Sequence, residues 1–360
     1  MQITEIKIKN LTAFVTSEAF KKLNPSPITD LRAISQYHNP DAQANDTALI
    51  VASEGDRVVG FAGLLPRKMN GNDLPVYSNT CWWADPEKGK GIALPLFLMV
   101  LKKSQSHMFL TDCTEHTRAI LEKTGIFKFD PPRHGIRGFL RFYFAAIICR
   151  KYPKSASLRF VAGLVDVVLN LFLWPIRIGY LKKFEQSSLS YKPVDKIDSE
   201  TELFIRSHSS VEFVAKTAAS FNWQKEYPWV KTGDKKSSDY PFSYVVNNYS
   251  LVYLKLMIAG KIVGFLAFSL RDNLLKIPYL YFDETYRKPV MNFILWYALK
   301  MNCNSIVSFH PEVIRFWTEH RLPFLFRKDE WRHAGVSSSL SEAFTGKTFL
   351  QDGDGDFIFT

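Results

Sequence analysis

Two stretches far apart in the chain, RVVGFAGLL at 57–65 and KIVGFLAFSL at 261–270, share a basic residue, branched apolar residues and a Val-Gly-Phe centre. Each follows a second apolar run across a short turn: ALIVAS (48–53) with Glu54-Gly55-Asp56, and LVYLKLMI (251–258) with Ala259-Gly260. Runs of this kind joined by such turns read as β-hairpins. The sequels also match. A strand (75–84; 274–282) precedes a helix (about 92–104; 286–300), then a strand (108–113; 305–309) and a helix (115–124; 312–320). Element order repeated over this span marks two copies of one unit, although residue identity is slight. A chain of 360 residues also exceeds what one core usually supports. The expected fold class is therefore α/β, with two domains at 1–132 and 191–360. Each is a twisted, mostly antiparallel sheet flanked by helices, and an apolar, basic, helical connector at 133–190 joins them. A strand ITEIKI and helices around 14–23 and 28–37 open the first half.

The net charge of +11 is concentrated in one place. Residues 133–184 carry ten basic residues against one acid, Asp166. Within them, apolar stretches at 138–149 and 158–181 flank the basic turn RKYPKSAS. Arg159, Gly163, Asp166, Asn170 and Arg177 fall near one helical face and Trp174-Pro175 interrupts the apolar remainder, so neither stretch reads as a clean spanning helix. The pattern suits an amphipathic helix on an anionic membrane surface, and it suits a helix packed between two domains. Burial between the halves is the expectation, with basic ends left free for peripheral membrane contact. No helix-turn-helix, zinc-finger or RNP pattern is present, so no nucleic-acid partner is expected. Cys81, Cys113, Cys149 and Cys303 lack metal or redox spacing, which predicts no metal site and no disulfide framework. The opening MQITEIKIKN has no apolar signal region, and a cytoplasmic protein is expected.

DPEKGKGIALPLFLMVLKK, residues 85–103, carries the chemistry. A strand ends at Ala84, and Lys88-Gly89-Lys90-Gly91-Ile92-Ala93 leads into an apolar helix. Backbone N–H groups at a helix start, with glycines allowing close approach and lysines adding charge, make a cradle for an anion. The spacing fits neither a Walker loop nor GxGxxG.

The stretch resembles the pyrophosphate-binding motif of the GNAT acyltransferase superfamily, Arg or Gln, two residues, Gly, one residue, Gly or Ala. Lys88, Gly91 and Ala93 fill those places. Asp85-Pro86-Glu87 matches the residues that usually lead into the loop, and Leu121-Glu122-Lys123-Thr124-Gly125-Ile126 resembles a second family motif. The likeness covers the first half by motif and the second by element order. It implies a tandem GNAT protein in which the strand before the loop splays from its neighbour and acyl-CoA lies in the gap. Trp83 and Ala84 would then meet the pantetheine arm, and 88–93 the pyrophosphate. Leu121 stands where many members place the tyrosine that protonates the leaving thiolate. Asp112, Cys113 and Glu115, beside His116 after the next strand, are the candidate catalytic groups, and Asn79 and Thr80 are candidates for positioning. Each also has a plain structural role open to it, in a cap, a core or the solvated surface.

The second half has Glu284-Thr285-Tyr286-Arg287-Lys288-Pro289-Val290 in place of the cradle, and no CoA is expected there. Phe221, Trp223, Tyr227, Trp229, Phe242 and Tyr244 either line an acceptor surface or pack in a core. DGDGD, at 352–356, reads as a polar turn before a last strand. The resemblance implies an N-acyltransferase moving an acetyl or other acyl group from acetyl-CoA or another acyl-CoA to an amine of a small molecule, sugar or peptide. The alternatives are a non-catalytic GNAT-like binding protein and a tandem transferase using aminoacyl-tRNA.

Overall fold

The computed structural model describes residues 1–89, 91–152, 155–185, 188–233, 239–344 and 348–359. The first half opens with β1 (Gln2–Lys7), α1 (Leu11–Thr16), α2 (Glu18–Lys22) and α3 (Asp30–Tyr37). β2 (Thr47–Glu54) and β3 (Arg57–Lys68) form the expected hairpin, with Gly55 at φ 62° in its turn. β4 (Pro75–Ala84), α4 (Ala93–Lys103), β5 (Met108–Leu110), α5 (Glu115–Lys123) and β6 (Phe127–Phe129) complete the run. α4 buries Leu96, Phe97, Val100 and Leu101 against the sheet, the face that its apolar period sets out.

The second half repeats the plan. After β7 (Arg133–Phe139), α6 (Phe144–Lys151) and α7 (Ala156–Glu185) come β8 (Ser190–Val194), α8 (Ser199–His208) and α9 (Ala218–Glu226). β9 (Lys231–Thr232) and β10 (Val245–Val246) form a short parallel pair. β11 (Tyr249–Ile258), β12 (Lys261–Arg271) and β13 (Leu274–Phe282) form a meander through two tight turns, Ala259-Gly260 and Asp272-Asn273, all four residues at positive φ. α10 (Arg287–Lys300), β14 (Ser305–Ser308), α11 (Pro311–Glu319), β15 (Phe326–Arg332) and β16 (Gly335–Ser337) follow. α10 is buried on nearly every side, so its sequence shows apolar residues without a clear stripe.

The sheets exchange strands, and this moves the expected boundaries. The first has the order β1-β2-β3-β4-β5-β16-β6, the second β15-β7-β14-β13-β12-β11-β8. Residues 133–139 are therefore a strand inside the second sheet and not the start of a helical connector. Gly135 and Gly138 explain why this segment did not read as a strand: the rings of Phe309 and Phe324 lie where side chains would stand. In return β16, from the far end of the chain, pairs with β5 and β6.

The connector departs from expectation as well. α7 does not pack between the halves. Its last turns, with Tyr180, Leu181 and Phe184, dock on the second core, while most residues before Arg177 project outward alongside α6 and the segment that leads into it. The halves meet instead through a seam that is apolar where Met69, Val76 and Phe109 pack on Phe213 and Val214 and polar around DGDGD. Asp352–Asp354 is a buried 3-10 turn, and no strand follows it among the described residues. Lys216, 1% exposed at its side chain, lies 2.8 Å from Glu212 and 2.7 Å from Asp354, and Arg67 lies 3.6 Å from Asp41. Charges this deep persist only with such partners.

Candidate functional site

β4 and β5 pair in parallel only at Tyr77 with Met108 and Ser78 with Phe109, and beyond these they part. On its other edge β4 bulges. Phe61 faces Trp83 and Gly63 faces Thr80, so Cys81 and Trp82 together oppose Ala62, with Cys81 at φ 46°. The bulge turns Trp82 onto α4, where its indole N–H donates to the Ala93 carbonyl at 3.0 Å and its ring packs on Phe97. Trp83 lies on the opposite face beside Phe61. The Asp85 N–H donates to Val59 O on β3 at 2.9 Å. Because successive residues in a strand point their backbone groups to opposite edges, Ala84 directs its own into the gap and Trp83 toward β3. Of the two residues expected at the pantetheine arm, Ala84 has its backbone placed for that contact.

The loop after β4 is organised by Asp85. Its carboxylate accepts from Arg57 at 2.7 Å and from the N–H groups of Glu87 and Lys88 at 2.9 and 3.1 Å, and its carbonyl accepts from Gly89 at 2.7 Å. The Arg57 guanidinium, aided by those N–H groups, holds the Asp85 pKa down at about 2. Lys88 and Gly89 thus spend their N–H groups inside the loop. A side chain at Gly89 would lie 2.5 and 2.6 Å from Asp85 backbone atoms and 2.7 Å from Val59 O, so this glycine serves close approach to β3. Gly91 differs, since nothing lies within 4 Å of where its side chain would be. Lys90 lies outside the described residues. Ile92, buried against the core, caps α4 with no side-chain hydrogen bond, and Pro95 has no N–H. α4 begins at Ala93, so the N–H groups of Ala93 and Leu94 have no acceptor within the helix itself. Beside open Gly91 they form a narrower cradle than the sequence suggested, and its donor chemistry fits a diphosphate.

The three candidate catalytic residues follow β5, and the structure separates them. Asp112 is half exposed, with Arg332 Nε 3.6 Å from its carboxylate. Partial burial pushes its pKa up against the pull of Arg332, and Asp352 and Asp356 add to the rise. Burial raises the Cys113 thiol to about 12, with Asp112 adding to it, so it is neither a thiolate nor a ready base. Glu115 is exposed, 2.8 Å from the His333 ring and ion-paired with Arg118 at 3.6 Å on the outer side of α5. His116 is exposed too. Thr80 is buried, and the Asn79 amide donates to Gly63 O at 3.2 Å. Leu121 is fully buried in the core around Phe97 and Phe127.

Sequence reasoning missed Arg332 and the tail. Arg332 reaches Asp112 from β15, is 3.6 Å from Asp352, and stacks over Phe357 at 3.5 Å and Phe309 at 4.0 Å. Gly355 sits against Thr111 and Ser78, so the tail lies beside the place where β4 and β5 part. The five-residue alternation of Asp and Gly was the available signal, since glycines let a chain pass close to other backbone.

In the second half β13 and β14 also part after three parallel pairs, beside a cleft of about 580 Å³ lined by Glu212, Tyr281, Phe282 and His310. The loop there is a 3-10 turn, Glu284–Tyr286, followed by Arg287, whose Nε lies 2.6 Å from Glu312. Of the six aromatic residues read as acceptor surface or core, Phe221, Trp223 and Trp229 are core, Tyr227 packs against it, and Phe242 and Tyr244 lie near Tyr240.

No protein-family model matches the sequence, and no curated protein matches it. Solved structures do match. A GCN5-related N-acetyltransferase from Anabaena variabilis is similar over 93% of this chain and 72% of its own, at 11% identity and a TM-score of 0.50. One from Kribbella flavida is similar over 93% and 71%, at 12% identity and 0.48. A tandem GNAT protein from the clavulanic acid biosynthesis pathway is similar over 93% and 98%, at 11% identity and 0.47. Only the first reaches 0.5, and at such identity what is shared is architecture. Two seven-stranded, mostly antiparallel sheets flanked by helices, with a parting between β4 and β5 that leads to a helix start, give this chain the fold of the GNAT acetyltransferases.

Proposed function

We propose that the protein is an N-acyltransferase that takes an acyl group from acyl-CoA in the gap between β4 and β5 and passes it to an amine. One observation carries this reading: the gap runs to a helix start where Gly91 is open and the Ala93 and Leu94 N–H groups have no helical partner. Acyl-CoA would supply the activated thioester. The cradle would hold its diphosphate, and the Ala84 backbone would line its arm. Asp112, with its raised pKa and partly exposed carboxylate, would take the proton released by the attacking amine. Leu121 offers no proton to a leaving thiolate, so holding amine and thioester together would supply most of the acceleration. The acceptor is proposed to be a primary amine of a small molecule, sugar or peptide. Use of acyl-CoA accords with a cytoplasmic site of action, and acetyl is the donor to test first.

A second reading, a protein that binds acyl-CoA without turning it over, is favoured by the core position of Leu121 and the surface ion pair of Glu115. Release of free CoA thiol from acetyl-CoA and longer acyl-CoAs, measured across a panel of amines, distinguishes the two. Amine-dependent release that Asp112→Asn lowers supports the transferase. Stoichiometric acyl-CoA binding with no release on any amine supports the second reading.

A further inference from the structure

The projecting hairpin of α6 and α7 is inside out. Along 160–176 every exposed residue is apolar, including Phe160 at 68% exposed, Leu171 at 64% and Phe172 at 76%. The polar residues face inward. Asp166 accepts the N–H groups of Phe144 and Ala145 at 2.7 and 2.9 Å, capping the start of α6. Asn170 exchanges hydrogen bonds with the Phe142 backbone at 3.1 and 2.9 Å. Two of the residues that made this segment look amphipathic from sequence, Asp166 and Asn170, thus satisfy backbone groups within the hairpin. A helix lying on a membrane would instead keep its polar face toward water. Ser157–Lys182 is long and apolar enough to cross a membrane and only 6% of an 18-residue apolar stretch within it is buried, so it is no core helix, and it lies far from the N-terminus.

We infer that this hairpin inserts into the hydrocarbon of an anionic membrane and anchors the protein there from one side. Three observations favour lipid over a protein partner. Along 160–176 apolar side chains are exposed except on the strip that meets α6 and at the foot, where Leu171 and Trp174 face a cleft shared with the second half, and lipid tails can surround such a surface where a single partner face cannot. The stretch 160–176 is about 25 Å long at 1.5 Å per residue, close to the roughly 30 Å of a bilayer's hydrocarbon. Basic groups sit at both ends, Lys151 and Arg159 by the tip and Arg141, Arg177 and Lys182 at the foot. At the foot an apolar cleft of about 300 Å³ joins Trp174 and Leu140 to Arg141 and Arg177, an indole and two guanidiniums at one level, the pairing that suits headgroup depth. Arg177 itself is fixed by Asn302 Oδ1 at 2.6 Å and Leu299 O, so the foot is rigidly joined to α10. β7 and the end of α7 both join the second half, so the hairpin enters and leaves on one side. The inference stands whether or not the first-half gap binds acyl-CoA.

The test is flotation of the full chain with vesicles of phosphatidylcholine alone or with phosphatidylglycerol. The protein is expected to float, more strongly with phosphatidylglycerol. Phe160→Ser, Leu164→Ser, Leu171→Ser and Phe172→Ser together should abolish flotation, each losing on the order of tenfold in partition. Lys151→Gln and Arg159→Gln should each weaken anionic binding about fivefold and leave neutral binding unchanged. The melting temperature of the fourfold variant should stay at the parent value, because these residues lie outside the packed cores. A separate readout needs no folding assumption: brominated lipid should quench the parent protein's tryptophan fluorescence, and Trp174→Phe should remove most of that quenching. The inference is overturned if the parent does not float, if the fourfold variant floats equally, or if the parent is a discrete dimer that the fourfold variant splits. Quenching unaffected by Trp174→Phe also counts against insertion.

Discussion

Gly89 and Gly91 stand two residues apart in one loop, and the structure gives them opposite tasks. A Cβ added at Gly91 meets nothing within 4 Å among the described residues, so Gly91→Val should fold and melt like the parent. In the proposed site, its side chain would enter the open space that the diphosphate takes beside the start of α4. Losing one charge-assisted hydrogen bond to a diphosphate costs about 1.5–3 kcal/mol. CoA affinity should therefore fall roughly 10- to 100-fold, a range that titration calorimetry resolves. Gly89→Ala should act on the fold, since its methyl group would stand 2.5–2.7 Å from three backbone atoms of Asp85 and Val59. Backbone cannot swing aside as a side-chain tip can, and a loss of about 1–3 kcal/mol is the usual scale for such overpacking. The expected pattern is weakened binding at unchanged melting temperature for Gly91→Val, and a lowered melting temperature for Gly89→Ala. A folded Gly91→Val variant with parental CoA affinity would refute the cradle.

Asp85→Asn should lower stability at neutral pH. The native pKa of about 2 lies below the ordinary carboxylate value, so the carboxylate's contribution is present above that ordinary value and disappears as pH falls through about 2. Melting curves of parent and variant should converge there. Lys276 is buried over the Phe357 ring at 4.0 Å, and burial, helped by Arg332, Arg271 and Arg137, lowers its pKa to about 7. Its charging opposes folding, so parental stability should rise from about pH 7 toward the ordinary lysine value, and Lys276→Met should flatten that rise in pH-dependent denaturation. Asp112→Asn should lower amine-dependent turnover by about 10²–10⁴-fold. The parent's acidic limb should lie above the usual aspartate range, because partial burial raises that carboxyl.

The hairpins were legible because their turn residues carry backbone information: Gly55 and the pair at 259–260 adopt positive φ. α4 was legible because it buries one face. The exchange of β7 and β16 was not, since Gly135 and Gly138 gain meaning only beside Phe309 and Phe324, rings from distant parts of the chain. The loop proposed to hold the diphosphate was visible as glycine and lysine before a helix. Which N–H groups remain free depended on Asp85, whose side chain takes two of them and whose carbonyl takes a third. The hairpin misled by its periodicity. Asp166 and Asn170 at helical spacing resemble a solvated face, yet they cap and bond the neighbouring segment, and sequence periodicity does not say which way a stripe points.

Native mass spectrometry of the purified full chain tests the acyl-CoA site most directly. One acyl-CoA per chain is expected, lost in Gly91→Val and kept in Arg287→Ala, because the second half has Arg287 paired to Glu312 where the first has its cradle. The ligand's mass would also give the acyl chain. Failure to take up any added acyl-CoA, or saturation at two per chain, would contradict the account.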